Sequence, residues 1–476
     1  MTFRFDNTWA RDLPGTFLRL APDAAPAPEL VFLNRPLAAD LGLDADDLAA
    51  QGAGWFSGAA LPPGADPVAL AYAGHQFGGF SPVLGDGRAH LLGEHLAPDG
   101  RRYDLQLKGS GKTPFSRGGD GKAVLGPMLR EALVSEAMAA LGVPTTRALA
   151  VATTGEGIWR DSGRQPGAVL ARIAASHIRV GSFQFLSARG ETDKLQALTA
   201  YTLARHYPDA PAAETPALTL FDAAAARQCR LIAQWMGLGF LHGVMNTDNM
   251  ALSGETIDYG PCAFLDAFDP DTVFSSIDRQ GRYSWANQPR ILLWNLARLA
   301  EALLPLIDPN GDTAVAAAND RLDRVAALYR SDWLAVMRAK LGLAGEDAAD
   351  GALIDDLLAA MQGADWTLTF RRLAGAAAGD TAALRPLFPD FTLMQGWLPR
   401  WQARLAPDAA ARMLTVNPAV IPRNHRVEEA LTAATGGDMA PFDALIQALR
   451  EPFVEREAYM LPPPSGFGPY VTFCGT

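Results

Sequence analysis

The sequence predicts an α+β protein: a small strand-rich lobe, then a helical lobe, then a long helical C-terminal extension. Three observations carry this. Ala89–Leu96 and Arg102–Lys108 read as two strands joined by a tight Pro98-Asp99-Gly100 turn, the second alternating apolar and polar residues, as a β-hairpin requires. From Asp193 onward apolar residues recur at helical spacing. After the second of these helices, a short stretch, Leu241–Gly260, crowds together His242, Asn246, Asp248, Asn249 and Asp258.

In chain order, residues 1–65 mix short apolar pieces with Pro and Gly and are expected to form an irregular leader packed on the core. Residues 66–186 form the strand-rich lobe. Its turn Leu84–Arg88 feeds the hairpin, and a Gly-rich basic segment, Gly109–Gly121, follows. A helix is predicted over Leu125–Leu141, closed by Gly142 and Pro144. Strands are predicted at Ala148–Thr153 and Ala168–Ile173. Residues 187–290 form the helical lobe, with helices at Asp193–His206 and Phe221–His242 before the polar loops. Residues 291–476 form the extension, ending in a tail that carries Cys474. Asn295, Arg298 and Glu301 interrupt Ile291–Ile307 at helical spacing, which makes it an amphipathic buried helix.

Composition bounds the function. The chain has 476 residues, 49% apolar and 20% charged, enough for a large core in two or three packed units. A net charge of −11 argues against a general nucleic-acid or anionic-membrane binder. The first residues lack the apolar centre of a signal peptide, and no run is apolar enough to span a bilayer. A soluble cytoplasmic protein is expected, with no nucleic acid and no membrane as partner. Three scattered cysteines make neither a disulfide framework nor a zinc site.

Chemistry concentrates in H-G-V-M-N-T-D-N…D-Y-G, His242 to Gly260. Asn249 and Asp258 are oxygen donors of the kind magnesium accepts beside phosphates. The order is that of a kinase-type catalytic loop and its metal-binding D-F-G, so the expected architecture is protein-kinase-like and two-lobed. The usual base is missing: Val244 stands two residues after His242, where a kinase has Asp. Asp248 is the nearest carboxylate able to replace it, although T-D-N equally suits an Asx-turn. Lys108 ends a strand as a phosphate-contacting lysine would, with Glu131 as its anchor and Glu136 as competitor; alone, it reads as a surface charge. Gly85 and Gly87 around Asp86, before Arg88, make either a phosphate-facing loop or a plain β-turn. Asp120 and Gly121 lie in what could equally be a flexible linker. Arg172 and Arg179 suit a bidentate phosphate clamp and, equally, a structural ion pair. Gly111-Lys112-Thr113 is no Walker loop, because position 106 is Gln. Cys474 in the tail is a candidate redox thiol, and Cys262 a candidate partner.

The motifs Y-A-G-H-Q-F-G-G-F (72–80), L-G-D-G-R (84–88), D-L-Q-L-K-G-S-G-K-T-P-F-S-R (104–117), H-G-V-M-N-T-D-N-M (242–250), Q-G-R-Y-S (280–284) and N-P-A-V-I-P-R-N-H (417–425) run through the chain. Through them it resembles the selenoprotein O (YdiU) family, pseudokinases that transfer AMP to proteins. The resemblance implies a protein adenylyltransferase acting on Ser, Thr or Tyr hydroxyls, with UMP transfer from UTP and manganese, or phosphate transfer, as alternatives. It implies that Gly85, Gly87, Arg88, Lys108, Asp120, Gly121, Arg172, Arg179 and Asp258 bind ATP, inverted relative to kinases. Glu131 would hold Lys108, Asn249 and Asp258 would bind magnesium, and Asp248 would be catalytic. Partners would be hydroxyl-bearing proteins, redox-related ones among them, met by a monomer. Some members pair the C-terminal residue with a Cys well beyond the D-Y-G aspartate. That region here reads V-F-S-S-I-D, without Cys, which puts a regulatory disulfide in doubt.

Overall fold

The computed structural model describes residues 2–161 and 163–473. Ten strands lie in the first part of the chain: β1 (Phe17–Arg19), β2 (Glu29–Leu33), β3 (Val68–Leu70), β4 (Gly74–Gln76), β5 (Gly79–Ser81), β6 (Ala89–Leu96), β7 (Arg102–Lys108), β8 (Ala123–Val124), β9 (Arg147–Arg160) and β10 (Gly163–Ala174). Eight of them form one antiparallel sheet in the order β1-β3-β6-β7-β10-β9-β2, with β8 beside β10. β4 and β5 form a separate hairpin. The register sets Ala89 and Leu170 opposite Lys108, and Gln106 opposite Arg172.

Helix α1 (Leu125–Ala140) packs between this sheet and helices Asn424–Thr435 and Ala440–Arg450. Enclosure on both sides explains why it is buried all round from Met128 to Met138. After β10 come α2 (Val180–Ser187), α3 (Pro216–Leu238) and α4 (Gln288–Ile307). Thr215 caps α3 by accepting from Leu218 N, and Pro216 opens its first turn. Gly239 ends it at φ +69°. A Cβ there would stand 2.7 Å from the Trp366 ring, so glycine is required twice over. The chain then turns into His242. Beyond α4 the described residues are mainly helical to Met460, giving an α+β protein.

One apolar core runs from Trp9 through α1, α3 and α4 to Met460. A smaller cluster, including Phe3, Trp55, Phe56, Leu105 and Leu107, covers the other sheet face. The expected irregular leader is more regular than that. β1 and β2 close opposite edges of the sheet, and helix Ala45–Ser57 packs on it. These strands are three and five residues long, too short for a period to show, and β2 pairs with β9 far along the sequence.

The other end of the chain returns to α1. Arg130 Nη1 donates to the Tyr470 hydroxyl at 2.9 Å, across 340 residues, while its Nη2 donates to Cys262 O at 2.5 Å. The N-P-A-V-I-P-R-N-H segment clamps the chain beyond D-Y-G: Arg423 pairs with Asp266 and Asp365, each at 2.8 Å. Among the described residues no helix is long and apolar enough to cross a membrane. Cys474 lies outside the described residues.

Candidate active site

Asp258 is the hub. It follows the buried Ile257 and holds φ at +64°, a left-handed conformation that is sterically costly for a residue with a Cβ and that clusters at functional sites. Three cations meet its carboxylate. Lys108 Nζ and Arg172 Nη1 donate to Oδ1, each at 2.7 Å, and Arg179 Nη1 donates to Oδ2 at 3.2 Å. Burial opposes its ionisation, but Arg172, Lys108 and Arg179 overcome that and hold its carboxyl well below the usual range.

Each cation has a structural reason for its place. Lys108 ends β7 and also pairs with Glu131 of α1. Glu136, one and a half turns on, instead takes Arg147 at 2.6 Å. Arg172, on β10, donates to Gln106 Oε1 at 2.5 Å across the ladder. Gln106 Nε2 in turn donates to Asp86 Oδ2 at 2.9 Å, and burial lifts the Asp86 carboxyl to about 6. Arg179 precedes α2, lies 4.6 Å over the Tyr72 ring, and donates to Asp248 O at 2.7 Å.

Asp248 sits on a single 3-10 turn, Thr247–Asn249. Gln76 Nε2 donates to its Oδ2 at 3.2 Å, while its Oδ1 is buried with no hydrogen-bond partner among the described residues. Burial raises its carboxyl to about 6, with Arg179 pulling the other way. Such a value suits a group that takes a proton near neutral pH. Asn249 Nδ2 donates to Val244 O at 3.0 Å, which leaves its Oδ1 for a cation. His242 is fully buried, stacks on Trp235 at 5.2 Å, and donates from Nε2 to Ile257 O at 2.8 Å. It braces the residue before Asp258.

These groups share a cleft of about 970 Å³, whose wall includes Gly85, Gly87, Arg88, Lys108, Asp120, Gly121, Arg172, Arg179, Asp248, Asn249 and Asp258. Glu131 stands behind Lys108. The glycines serve packing: a Cβ on Gly85 would stand 2.3 Å from the Phe115 ring, and one on Gly87 2.8 Å from Phe115 O. Asp120 accepts from Lys122 N at 2.9 Å and pairs with Arg160 at 2.8 Å, so the Gly-rich segment is tied down rather than loose. A larger cavity, about 1180 Å³, lies among Tyr103, Arg147, Tyr201 and Glu255 and holds none of these groups.

Among the described residues no cluster of three or more His, Cys, Asp or Glu side chains forms a metal cage. Two oxygen donors, Asn249 and Asp258, suit an ion that keeps waters and takes its other ligands from phosphate, as magnesium does. Cys262 is buried, its thiol pushed up to about 12 by burial and its Sγ 3.3 Å from Tyr259 O, an environment of an inert thiol.

Sequence reasoning passed over Gln76, Gln106 and the role of Asp86. Asp86 had a visible signal, an acid between two glycines, but its buried setting appears only in the fold. The two glutamines gave none.

The sequence model of the family described as protein adenylyltransferase SelO matches residues 1–450. The chain is 61% identical to a protein nucleotidyltransferase YdiU of Cereibacter sphaeroides, over the whole of both chains. It is 55% identical to one of Rhizobium leguminosarum bv. trifolii, over all of this chain and 97% of the relative. It is 54% identical to one of Rhizobium meliloti, over all of this chain and 99% of the relative. A match across this length shows that the chain belongs to the protein adenylyltransferase SelO family and is an enzyme of the nucleotidyltransferase class.

Proposed function

We propose that the enzyme transfers AMP from ATP to a Ser, Thr or Tyr hydroxyl of another protein and releases pyrophosphate. One observation carries this: a buried carboxylate near pKa 6, Asp248, lies on the same cleft wall as three clustered cations. The acceptor oxygen attacks the α-phosphorus. The bond from that phosphorus to the bridging oxygen breaks, its electron pair leaves with pyrophosphate, and the acceptor proton passes to Asp248. Lys108, Arg172 and Arg179 turn from Asp258 to the phosphates and offset charge on the leaving group. Glu131 keeps Lys108 in place.

Magnesium, with manganese as the alternative ion, would be held by Asn249 and Asp258 and would supply further charge neutralisation on the pyrophosphate. The nucleotide lies inverted relative to a kinase, with the α-phosphate toward Asp248, which is consistent with Val244 in place of the kinase base. The four segments 1–65, 66–186, 187–290 and 291–476 then act as leader, strand-rich lobe, helical lobe and extension of a protein-kinase-like fold. The net charge of −11 supports protein partners over nucleic acid. A cytoplasmic monomer completes this reading.

Incubation of acceptor proteins with ATP labelled at the α or the γ position tests it. Retained α label with a mass gain of one AMP supports the proposal. Retention of γ label alone overturns it.

A further inference from the structure

Beyond Tyr72 under Arg179 and Gln76 on Asp248, most of two motifs has no part in the nucleotide chemistry above: Y-A-G-H-Q-F-G-G-F at 72–80 and Q-G-R-Y-S at 280–284. The fold brings them together beside Asp248. The β4–β5 hairpin lies on the catalytic turn: His75 N donates to Thr247 Oγ1 at 2.7 Å, and Phe77 N to Asn246 Oδ1 at 3.1 Å. Tyr283 donates its hydroxyl to the same Asn246 oxygen at 2.6 Å and meets the Phe77 ring edge-on at 5.2 Å.

Phe77 is held at φ +51°, left-handed, yet the residue stays 38% exposed on the cleft wall, where Ile277 is 49% exposed. Backbone strain kept to present an apolar ring to solvent marks a recognition surface rather than a core. Arg282 adds charge. Its guanidinium lies 4.8 Å from the Trp294 ring. Among the described residues it has no carboxylate partner, and its Nε is buried without a hydrogen bond. Asp278 accepts from the backbone N–H groups of Arg282 and Tyr283 instead. At the hairpin tip, a Cβ on Gly78 would stand 3.8 Å from the Arg282 Cζ. On the hairpin's other side, the exposed Arg117 donates to Gln76 Oε1 at 3.4 Å, and among the described residues it too has no acidic partner. Arginines left unneutralised beside one hairpin stand out in a chain of net charge −11.

We propose that this face docks the segment of the partner protein that carries the acceptor hydroxyl, and that the segment is acidic. A carboxylate near the hydroxyl pairs with Arg282, and a neighbouring apolar side chain lies on Phe77. The proposal rests on the AMP-transfer reading and adds the acceptor's chemistry to it.

The test uses peptides with one hydroxyl residue flanked by Asp and Glu or by Lys, with ATP labelled at the α position. Parent, Arg282→Gln, Arg282→Glu and Phe77→Asn are compared, the last keeping a residue that tolerates the left-handed backbone. Acidic peptides are expected to be labelled at least roughly tenfold more efficiently by the parent. Arg282→Gln raises KM for them with kcat and ATP affinity preserved, and Arg282→Glu shifts preference toward the lysine peptides. Phe77→Asn raises KM for both peptide sets. Equal labelling of both sets, or loss of ATP affinity in the Arg282 variants, overturns the docking proposal and leaves AMP transfer standing. If no acceptor of any composition takes label, AMP transfer fails and the proposal falls with it.

Discussion

Asp248→Asn should inactivate the enzyme and, in the metal-free and nucleotide-free protein, stabilise it. Burial lifts the Asp248 carboxyl from its ordinary 3.8 to about 6. Between those values the folded chain keeps a proton that the unfolded chain has lost, so the parent loses stability as pH rises through that window. At ~1.4 kcal/mol per pKa unit, the penalty is about 3 kcal/mol once the pH is well above 6, and only about 1 kcal/mol at pH 4.5. Asparagine carries no such penalty. It keeps an oxygen for Gln76 but leaves a buried amide N–H unpaired where Oδ1 now lacks a partner, which costs about 1 kcal/mol. The net expectation is a gain of about 2 kcal/mol at pH 7.5 and almost none at pH 4.5. Urea unfolding of both proteins at the two pH values measures it. A difference that is independent of pH, or destabilisation at pH 7.5, would refute the buried-carboxylate reasoning. AMP transfer by the variant at near-parent rate would remove Asp248 from the chemistry.

Two further outcomes are expected. Glu131→Gln keeps an acceptor for Lys108 but removes the charge, so that among the described residues Asp258 is left as its one carboxylate partner. A misplacement of about 1 Å costs on the order of 100-fold in rate, so α-label transfer should fall by roughly that factor with ATP affinity little changed; an unimpaired rate contradicts the anchoring role. Lys340 is buried, lies 4.1 Å over Phe370, donates to Asn417 Oδ1 at 2.9 Å, and is pulled by burial from 10.5 to about 7. Its ammonium form therefore costs stability in full below pH 7, and the cost fades as the pH climbs toward 10. Lys340→Met should stabilise the protein by about 2 kcal/mol or more at pH 6, after the lost bond to Asn417 is counted, and by much less at pH 9. Equal destabilisation at both values would count against it.

Local signals carried much of the fold. The β6–β7 hairpin is legible because alternation and a Pro-Asp-Gly turn both act within a few residues. Helix α1 is legible from its own pattern and its Gly142–Pro144 stop. The leader was not, because β2 owes its conformation to β9, more than a hundred residues away. The candidate site divides the same way. Asn249, Asp258 and Lys108 stand in spaced motifs. The sequence suits both a clamp and an ion pair at Arg172, and in the fold it makes an ion pair with Asp258. The choice between Glu131 and Glu136 depends on which side of α1 faces β7, and only packing decides that. Gln106 joins Arg172 to Asp86 through a cross-strand register, which no single stretch of sequence displays.

The bond from Arg130 to Tyr470 also says something about biosynthesis. Arg130 is the neighbour of Glu131 on α1, and the residues that fasten it arrive 340 positions later. At roughly 5–20 residues per second, that stretch takes on the order of 17–70 s to emerge from a ribosome. During that interval α1 lacks both Tyr470 and its outer cover, helices Asn424–Thr435 and Ala440–Arg450. Glu131, the ion-pair partner of Lys108, thus gains the full packing of its helix only after residues 424–470 have been made. A nascent or truncated chain that has Lys108, Asp248 and Asp258 but not residues 424–470 still lacks the contacts that cover and fasten the helix carrying Glu131.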